Sequence, residues 1–233
     1  MNLTELKEKL AYSCNILAHE GHWDNILGHV SVRIPGQDRI LMKPHSFGFE
    51  EIRPQHIIVV DLNGKKVQGK YERHSEVFIH TEIYRARPDV NCVVHSHPPY
   101  ATVLAALGQR LRPISHEGNI FYEGLPLFDS TTALIRTPEL GKEVAQSLGK
   151  CRGLLMKNHG STVVGESIEV ATLYSVFLEK AARIQLLATA SGEPSWTGDE
   201  EAKIKYEQIY TPHRLGSMWN YFVRRAKKFR KST

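Results

Sequence analysis

The sequence has few cysteines, no long apolar run and no low-complexity segment. Cys14, Cys92 and Cys151 are odd in number and far apart in the 233-residue chain, which argues against a disulfide framework. No apolar run approaches the ~18 residues of a membrane span, and the amino terminus lacks the apolar core of a secretory signal. We therefore expect a cytoplasmic protein with reduced thiols and no membrane partner.

The charge is nearly balanced once one segment is set aside. The formal net charge is +5, but residues 224–233 contain three arginines, three lysines and no acid. No basic stripe interleaved with aromatic residues is present, and no zinc-finger or helix-turn-helix spacing occurs. The sequence predicts a solvated basic tail rather than a nucleic-acid-binding arm, and hence no nucleic-acid partner.

Apolar periodicity indicates helices and strands that alternate along the whole chain without a linker or an internal repeat. Asn2 and Glu5 have capping-box spacing before the first helix, and Thr197 and Glu200 have it before a C-terminal helix. Helices are predicted near 3–20, 76–86, 98–107, 138–149, 167–190 and 218–229, with a polar helix after Thr197, and strands over 30–34, 40–43, 56–62, 65–68, 91–94, 154–156 and 162–164. This order predicts one α/β domain with a central mixed sheet and helices on both faces.

Three histidines stand at the ends of two predicted strands. His95 and His97 follow the apolar run Cys92–Val94, and His159 follows Leu154–Met156. Side chains two residues apart on a strand share a face, so both rings of an H-x-H sequence can converge on one divalent cation. If a third imidazole also bound this ion, the fourth coordination position would stay open, as it does in catalytic sites. The alternative is that these histidines cap backbone groups in turns.

Glu76 is the candidate acid/base. It begins a predicted helix, whose positive end would keep a carboxylate ionised. An ionised carboxylate beside a metal can be a ligand or a proton shuttle. The alternative is an ordinary acid of a first helical turn. His19, His22, His56, His80 and His213 stand singly in amphipathic or loop sequence, and they are predicted to be surface or satisfied core residues.

Four segments, in this order, resemble the class II aldolase/adducin family, which includes fuculose-phosphate aldolase. They are Gly28-His29-Val30-Ser31-Val32-Arg33, Ser75-Glu76, the run from Arg87-Pro88-Asp89 to His95-Ser96-His97, and Asn158-His159-Gly160 before a long helix. The resemblance extends from about residue 3 to residue 190. It implies an α/β/α three-layer sandwich around a largely antiparallel sheet. A single domain would span 1–233, with a helical extension from about 195.

The resemblance also implies a site and an assembly. His95, His97 and His159 would bind one divalent metal ion per subunit (zinc, manganese or iron), and Glu76 would be the acid/base. The family implies a homotetramer with active sites between subunits. Tyr210 or His213 would then reach a neighbour's pocket, and the segment 218–222 would be a lid or an interface.

Several positions depart from the sugar-phosphate aldolases of the family. Where those enzymes hold a phosphate with an asparagine and a serine, this chain has His29 and His74. The change resembles a branch that decarboxylates hydroxylated aromatic dicarboxylates. A flat anionic substrate would be bound by a set of polar and basic residues. They are His29, Ser31, Arg33, Lys43, His74 and Ser75.

We therefore expect a metal-dependent lyase that cleaves a carbon–carbon bond next to a stabilised enolate or phenolate, with loss of CO2 from a small aromatic acid. Glu76 or His116 would return a proton to the vacated carbon. The segment of His116 occupies the place of the aldolases' catalytic tyrosine. Aldol cleavage of a hydroxy-carbonyl substrate, an iron-dependent oxygenase and a non-enzymatic adducin-like module are the alternatives. The presence of all three histidines and Glu76 argues against the last.

Overall fold

Eight strands form one sheet at the centre of the molecule, in a computed structural model that describes residues 2–230. They are β1 (His29–Arg33), β2 (Arg39–Met42), β3 (Ile58–Asp61), β4 (Lys66–Gln68), β5 (Cys92–Ser96), β6 (Leu127–Phe128), β7 (Gly153–Met156) and β8 (Gly160–Gly165). Their order across the sheet is β4-β3-β2-β1-β5-β8-β7-β6. Every pairing is antiparallel except that of β6 with β7. The predicted mixed, largely antiparallel sheet is confirmed.

Helices cover both faces of this sheet. They are α1 (Leu3–Leu17), α2 (Val77–Ala86), α3 (Pro99–Ala106), α4 (Pro138–Leu148), α5 (Ile168–Ser191), α6 (Asp199–Ile209) and α7 (Pro212–Arg230). One core joins α1, α3, α5 and α7 to one face, and a second joins α2 and α4 to the other. The α/β/α sandwich is thereby confirmed. Among the helices of residues 2–230, none is both long and apolar enough to cross a bilayer.

Local signals set most helix starts. The side chain of Asn2 accepts the Glu5 N–H at 2.9 Å and the Glu5 carboxylate accepts the Asn2 N–H at 3.1 Å, so the capping box of α1 forms as predicted. The capping box predicted at Thr197 does not form. Helix α6 instead begins after Gly198, and the Thr197 hydroxyl accepts a hydrogen bond from Lys205.

Strand β3 is shorter than predicted because Pro54–His56 forms a 3-10 turn before it. The two-residue strand β6 has no apolar run long enough to predict it. A short π-helical turn, Ala18–His22, follows α1, and Gly21 ends it at φ 94°.

Residues 224–230 of the basic C-terminal segment are helical, and Arg224, Lys227 and Lys228 are exposed, as a solvated segment requires, whereas Arg225 and Arg230 are partly buried. The rest of the predicted tail, 231–233, lies outside the described residues. The helical part is the end of α7, which packs against α1. The Arg225 guanidinium pairs with Glu20 at 2.5 Å, and that of Arg230 lies 4.2 Å from the ring centroid of Tyr12. Intramolecular partners therefore take up part of this positive charge.

Candidate active site

The hydrogen-bond ladder of three central strands brings the predicted site residues together. His29 of β1 is paired with His95 of β5, and His95 is paired in turn with Thr162 of β8. Val30 and Val94 face the core of α1 and α5, so the alternating side chains of His29 and His95 face the α2 side. Paired residues of neighbouring strands lie side by side, so the pairing places these side chains together at the inner end of the site.

His159 enters the site from the tight turn between β7 and β8. Asn158 precedes it with φ 53°, a left-handed conformation that asparagine tolerates. A Cβ atom on Gly160 would lie 2.5 Å from the Ser96 carbonyl oxygen and 2.6 Å from the His97 ring, so β8 can approach β5 this closely only with glycine there. The ring of His159 consequently stacks on that of His97, with 5.1 Å between centroids.

The Nε2 atoms of His95 and His97 face each other at 3.0 Å. His97 Nδ1 lies 2.5 Å from a carboxylate oxygen of Asp24, which can only accept, so this nitrogen carries the proton. His95 Nδ1 lies 3.1 Å from the Thr162 hydroxyl, which lies 3.5 Å from the sulfur of Met156, a group that can only accept. When Thr162 donates to this sulfur, His95 Nδ1 donates to Thr162, and both Nε2 atoms present bare lone pairs.

This arrangement fits a divalent metal ion. We call His95, His97 and His159 the histidine cluster, and one ring nitrogen of each lies within 4.8 Å of the others. Burial lowers the pKa of His95 well below its usual value and lowers that of His97, so protonation does not relieve the repulsion between the lone pairs. Neutral imidazoles held through the second nitrogen are the ligands that zinc and similar metals prefer.

Glu76 caps the amino end of α2 and faces the histidine cluster. One carboxylate oxygen accepts the Ile135 N–H at 2.8 Å, and the other lies 3.6 Å from His159 Nε2. Burial raises the pKa of Glu76, but the hydrogen bonds and charge interaction with His159 and the Ile135 amide outweigh that effect and lower it overall. Glu76 is ionised at neutral pH and accepts a proton before it can donate one.

A cavity of about 400 Å³ opens in front of the histidine cluster. Polar and charged side chains line most of it, and Leu27 and Leu134 provide apolar surface. The polar lining consists of Asp24, His45, His74, Ser75, Glu76, His97, Arg136, Asn158 and His159. Arg136 is one of the lining residues, so the site combines an arginine with two apolar side chains that a flat ring could contact.

Lys43 and His74 form a buried pair at the edge of the cavity. Lys43 Nζ donates to the carbonyl oxygens of Ile26 at 3.2 Å and Pro44 at 3.3 Å, and it lies 3.3 Å from His74 Nε2. Burial lowers the pKa of Lys43 to about 8. Burial, followed by the charge of Lys43, lowers the pKa of His74 to about 2. His74 is a neutral ring on the cavity wall, and Lys43 supplies positive charge behind it.

The remaining predicted residues lie in different places. Ser75 lines the cavity, whereas Ser31 bonds the buried His80 behind it. The Arg33 guanidinium donates to the Tyr84 carbonyl oxygen at 2.7 Å, so the structure does not bring it to the cavity. His116 does not line the cavity of its own chain either.

His116 lines a groove between α5 and α7, and its carbonyl oxygen accepts a hydrogen bond from the Tyr210 hydroxyl at 3.0 Å.

Among the cavity residues that sequence reasoning missed are two charged ones, Asp24 and Arg136. Asp24 lies 73 residues before His97, in a segment with no motif, and only the fold places the two side chains together. Arg136 follows a loop without regular structure, immediately before the cap of α4. Its position next to Ile135, whose amide holds Glu76, becomes visible only in three dimensions.

Comparison with known proteins agrees with the fold and with the family resemblance. A family model described as "Class II Aldolase and Adducin N-terminal domain" matches residues 8–186. A 3,4-dihydroxyphthalate decarboxylase of Arthrobacter keyseri is 33% identical over 199 residues, covering 80% of this chain and 79% of the relative. A 4-hydroxy-3-prenylphenylpyruvate oxygenase/4-hydroxy-3-prenylbenzoate synthase of Streptomyces roseochromogenus subsp. oscitans is 32% identical over 202 residues, covering 85% and 72%.

Among solved structures, an L-fuculose 1-phosphate aldolase from Glaciozyma antarctica PI12 superposes with a TM-score of 0.87 at 24% identity. The superposition covers 98% of this chain and 91% of the other. At that identity the likeness concerns the fold, and it agrees with the family match over most of the sequence. The chain belongs to the class II aldolase/adducin family.

Proposed function

We propose that this protein is a metal-dependent lyase that removes CO2 from a small aromatic acid carrying a hydroxyl group beside its carboxylate. The observation that carries the proposal is the position of Glu76. Its ionised carboxylate stands 3.6 Å from His159, in a cavity that Arg136, Leu27 and Leu134 also line. The relative that acts on 3,4-dihydroxyphthalate supports this substrate class.

The histidine cluster would hold one divalent ion, which is zinc, manganese or iron. Such an ion supplies a Lewis acid for negative charge that develops on a substrate oxygen. Three protein ligands leave a position open for the substrate. Asp24 and Thr162 would keep the coordinating nitrogens of His97 and His95 free of protons, because each accepts a hydrogen bond from the N–H of the opposite ring nitrogen.

Glu76 moves the proton that the reaction requires. Its carboxylate accepts the proton of the substrate hydroxyl, which raises the electron density of the ring. The bond to the carboxyl carbon then breaks, CO2 leaves, and the bonding pair remains on the ring carbon. Glu76 donates its proton to that carbon, and the product phenolate later takes a proton from water. His116 of a neighbouring subunit is the alternative donor.

Positive charge at the cavity would bind the anionic groups of the substrate. Arg136 can bond a carboxylate in a bidentate manner, and Lys43 adds charge behind the neutral ring of His74. Leu27 and Leu134 can contact the faces of a flat ring. A sugar phosphate is a poorer match, because bulky imidazoles stand where the aldolases of this family carry small donors for a phosphate.

Two other reactions remain as second candidates. Aldol cleavage of a hydroxy-carbonyl compound is favoured by the family itself, whose chemistry breaks the same kind of bond. An iron-dependent oxygenation is favoured by the relative that is named an oxygenase. A three-histidine site can hold Fe(II) as well as zinc or manganese.

The three reactions differ in what they release or consume. The protein, loaded separately with Zn²⁺, Mn²⁺ or Fe²⁺, is assayed with 3,4-dihydroxyphthalate, a hydroxy-keto acid and a phenylpyruvate. We expect CO2 release from the dihydroxyphthalate without O2 uptake. Aldehyde release at a kcat/KM above ~10⁴ M⁻¹s⁻¹ without any CO2 would establish the aldolase, and O2-dependent turnover would establish the oxygenase.

A pair of arginine variants tests the anion site. Arg136→Gln is expected to raise KM roughly 10- to 100-fold, because it removes a charge-assisted hydrogen bond to the substrate. Arg39→Gln, an exposed residue at the start of β2, is the matched control and keeps the wild-type KM. Equal KM values for the two variants would remove Arg136 from the site.

We also propose a homotetramer. The groove beside His116 has a volume of about 610 Å³ and exposes apolar and aromatic residues of α5 and α7, Phe177, Met218, Tyr221 and Phe222 among them. A second copy seated on it would cover this surface and bring His116, Tyr210 or His213 toward a neighbouring site. Light scattering at micromolar concentration is expected to give about four times the 26.4 kDa of one chain, and a monomer would contradict the proposal.

A further inference from the structure

A chain of buried hydrogen bonds runs from the back of the cavity into the layer between the sheet and α2. His29 Nδ1 lies 2.6 Å from His80 Nε2, and His80 Nδ1 lies 2.6 Å from the Ser31 hydroxyl. That hydroxyl lies 2.9 Å from the hydroxyl of Tyr84. None of these four residues is more than 2% exposed, so water does not compete for the bonds. We call them the buried chain.

Tyr84 determines in which direction the hydrogen bonds of the buried chain are donated. Its hydroxyl has two acceptors within reach, Ser31 Oγ at 2.9 Å and the Asn91 carbonyl oxygen at 3.5 Å. The Asn91 oxygen already accepts the Arg33 N–H at 2.8 Å. Burial raises the pKa of Tyr84 well above its usual value, so the hydroxyl keeps its proton. The Asn91 oxygen has a second lone pair, but the bond to Ser31, at 2.9 against 3.5 Å, is 0.6 Å shorter, and we take Ser31 as the acceptor.

The other protons follow from this first one. Ser31 accepts from Tyr84 and donates its own proton to His80 Nδ1. A neutral imidazole carries one proton, so His80 bears it on Nε2 and donates it to His29 Nδ1. His29 then carries its proton on Nε2. The opposite direction would leave the buried Tyr84 hydroxyl only the 3.5 Å contact to the Asn91 carbonyl oxygen as an acceptor, which is a weak hydrogen bond.

The second ring nitrogen of His29 has Glu76, which lines the cavity, and His95 as its neighbours. Ring nitrogens of His29 and His95 and a carboxylate oxygen of Glu76 all lie within 4.8 Å of one another, the spacing of a possible second group of metal ligands. A nitrogen that carries a proton cannot coordinate a metal. The direction of the buried chain therefore distinguishes this group from the histidine cluster.

Packing fixes the orientation of the ring as well as its proton. The His29 ring centroid lies 4.5 Å from that of His74 and 4.8 Å from those of His80 and His95. A ring enclosed in this way cannot rotate to exchange its two nitrogens without displacing its neighbours. Its outward N–H is thus a preorganised donor.

We propose that the buried chain holds His29 as an Nε2–H donor aimed between Glu76 and His95, where it binds an anionic group of the substrate, and that His80 is the positioning residue. The tautomer of His29 depends only on the hydrogen bonds described. Its role toward the substrate rests on the proposed function. His29 is a hydrogen-bond donor and not a metal ligand.

The first experiment locates the protons. Full-length protein labelled with ¹⁵N-histidine is saturated with Zn²⁺ and studied by two-bond ¹H–¹⁵N correlation, with His29 assigned from the spectrum of His29→Gln. We expect His29 to be protonated at Nε2 and bare at Nδ1, both with Zn²⁺ and without it, while the bare nitrogens of the histidine cluster shift on Zn²⁺ addition. A proton on His29 Nδ1, or an Nε2 that becomes coordinated, would overturn the proposal.

The second experiment separates positioning from simple packing at residue 80. In His80→Gln the amide N–H can donate to His29 and the amide oxygen can accept from Ser31, as His80 does. In His80→Leu neither bond can form. With 3,4-dihydroxyphthalate as the probe, we expect the Leu variant to raise KM roughly 10- to 100-fold with kcat less affected, and the Gln variant to restore the wild-type KM.

Equal KM values for the two residue-80 variants would overturn the positioning role. His56→Gln, outside the cavity and the buried chain, is the control for loss of a histidine. If His80→Leu does not fold, the tautomer spectrum of His80→Gln decides, since a His29 proton on Nδ1 in that variant contradicts the assigned direction. Absence of turnover with any aromatic acid would refute the proposed function and leave the tautomer result standing.

Discussion

The histidine cluster and the buried chain lie side by side on one face of the sheet, yet they present opposite chemistry. In the histidine cluster, Asp24 and Thr162 hold two rings from behind, and the nitrogens that converge are bare. In the buried chain every nitrogen and hydroxyl is used by the next residue, and the last nitrogen keeps its proton. The comparison teaches that the partner of the second ring nitrogen determines whether a histidine serves as a ligand or as a donor.

The largest effect is expected from removing a member of the histidine cluster. His159→Ala takes away one of three donors, so the metal content should fall to near zero and turnover should fall by more than the ~10- to 100-fold typical of losing an outer partner. Metal analysis per chain and CO2 release measure this, with His56→Ala as the control. Full metal content in His159→Ala would contradict the assignment.

Asp24→Asn tests whether the hydrogen bond from His97 Nδ1 to Asp24 keeps the histidine cluster able to bind a metal ion. An amide can present an N–H to His97 Nδ1, which favours the tautomer with the proton on the coordinating nitrogen. We expect Zn²⁺ affinity to fall ~10- to 100-fold in competition with a chelator, while the fold is kept. Asp89→Asn, at an exposed acid paired with Arg87, is the matched control. Equal Zn²⁺ affinities in the two variants would show that Asp24 has no such role.

Acid should destabilise the protein through the buried chain. Burial lowers the pKa of His80 to about 3, whereas the ordinary value is 6.5, so the unfolded state binds more protons between these pH values. Stability is therefore fully present above pH 6.5 and is lost as the pH falls toward 3. At pH 5 the loss is about 2 kcal/mol relative to pH 7.

Denaturant unfolding at several pH values measures how the free energy of unfolding depends on pH. Because glutamine does not titrate, this free energy should fall by about 2 kcal/mol less between pH 7 and pH 5 in His80→Gln than in the wild type. An identical pH dependence in the wild type and in His80→Gln would show that His80 is not held neutral by the fold.

The smallest effect is expected from a variant that tests which way the hydrogen bonds of the buried chain are donated. Tyr84→Phe removes the hydroxyl that donates to Ser31, so Ser31 can then either donate to His80 or accept from it. We expect a loss of about 1 kcal/mol in the free energy of unfolding and a His29 proton that divides between Nδ1 and Nε2 by ¹⁵N spectroscopy. A His29 proton that stays entirely on Nε2 would show that Tyr84 does not set the direction.

Much of the fold follows from local sequence. The capping box at Asn2, the proline after Thr137 and the apolar periodicity of α5 predict their helices, and short apolar runs predict the central strands. The capping box at Thr197 failed because its hydroxyl is taken by Lys205. The basic tail was predicted to be solvated because its partners, Glu20 and Tyr12, lie about 200 residues earlier.

The candidate site divides in the same way. The three histidines and Glu76 could be proposed from strand ends, a helix start and a family resemblance. Asp24, Arg136 and the role of His80 could not, because each depends on a side chain that is distant in the sequence. His80 illustrates the limit well, since the sequence predicted a satisfied core or surface histidine and the structure shows what satisfies it.

The sheet order has a consequence for backbone exchange with deuterium. Strands β1, β5 and β8, which carry His29, His95 and Thr162, are the fourth, fifth and sixth of eight, so each has a hydrogen-bonded neighbour on both sides. Their amides should exchange only when the whole molecule unfolds, whereas those of β4 and β6 at the edges exchange through local opening. A substrate that enters the cavity would then slow exchange in the segments around Ser75 and Arg136, while the central strands, already protected to the global limit, would report on the stability of the entire domain.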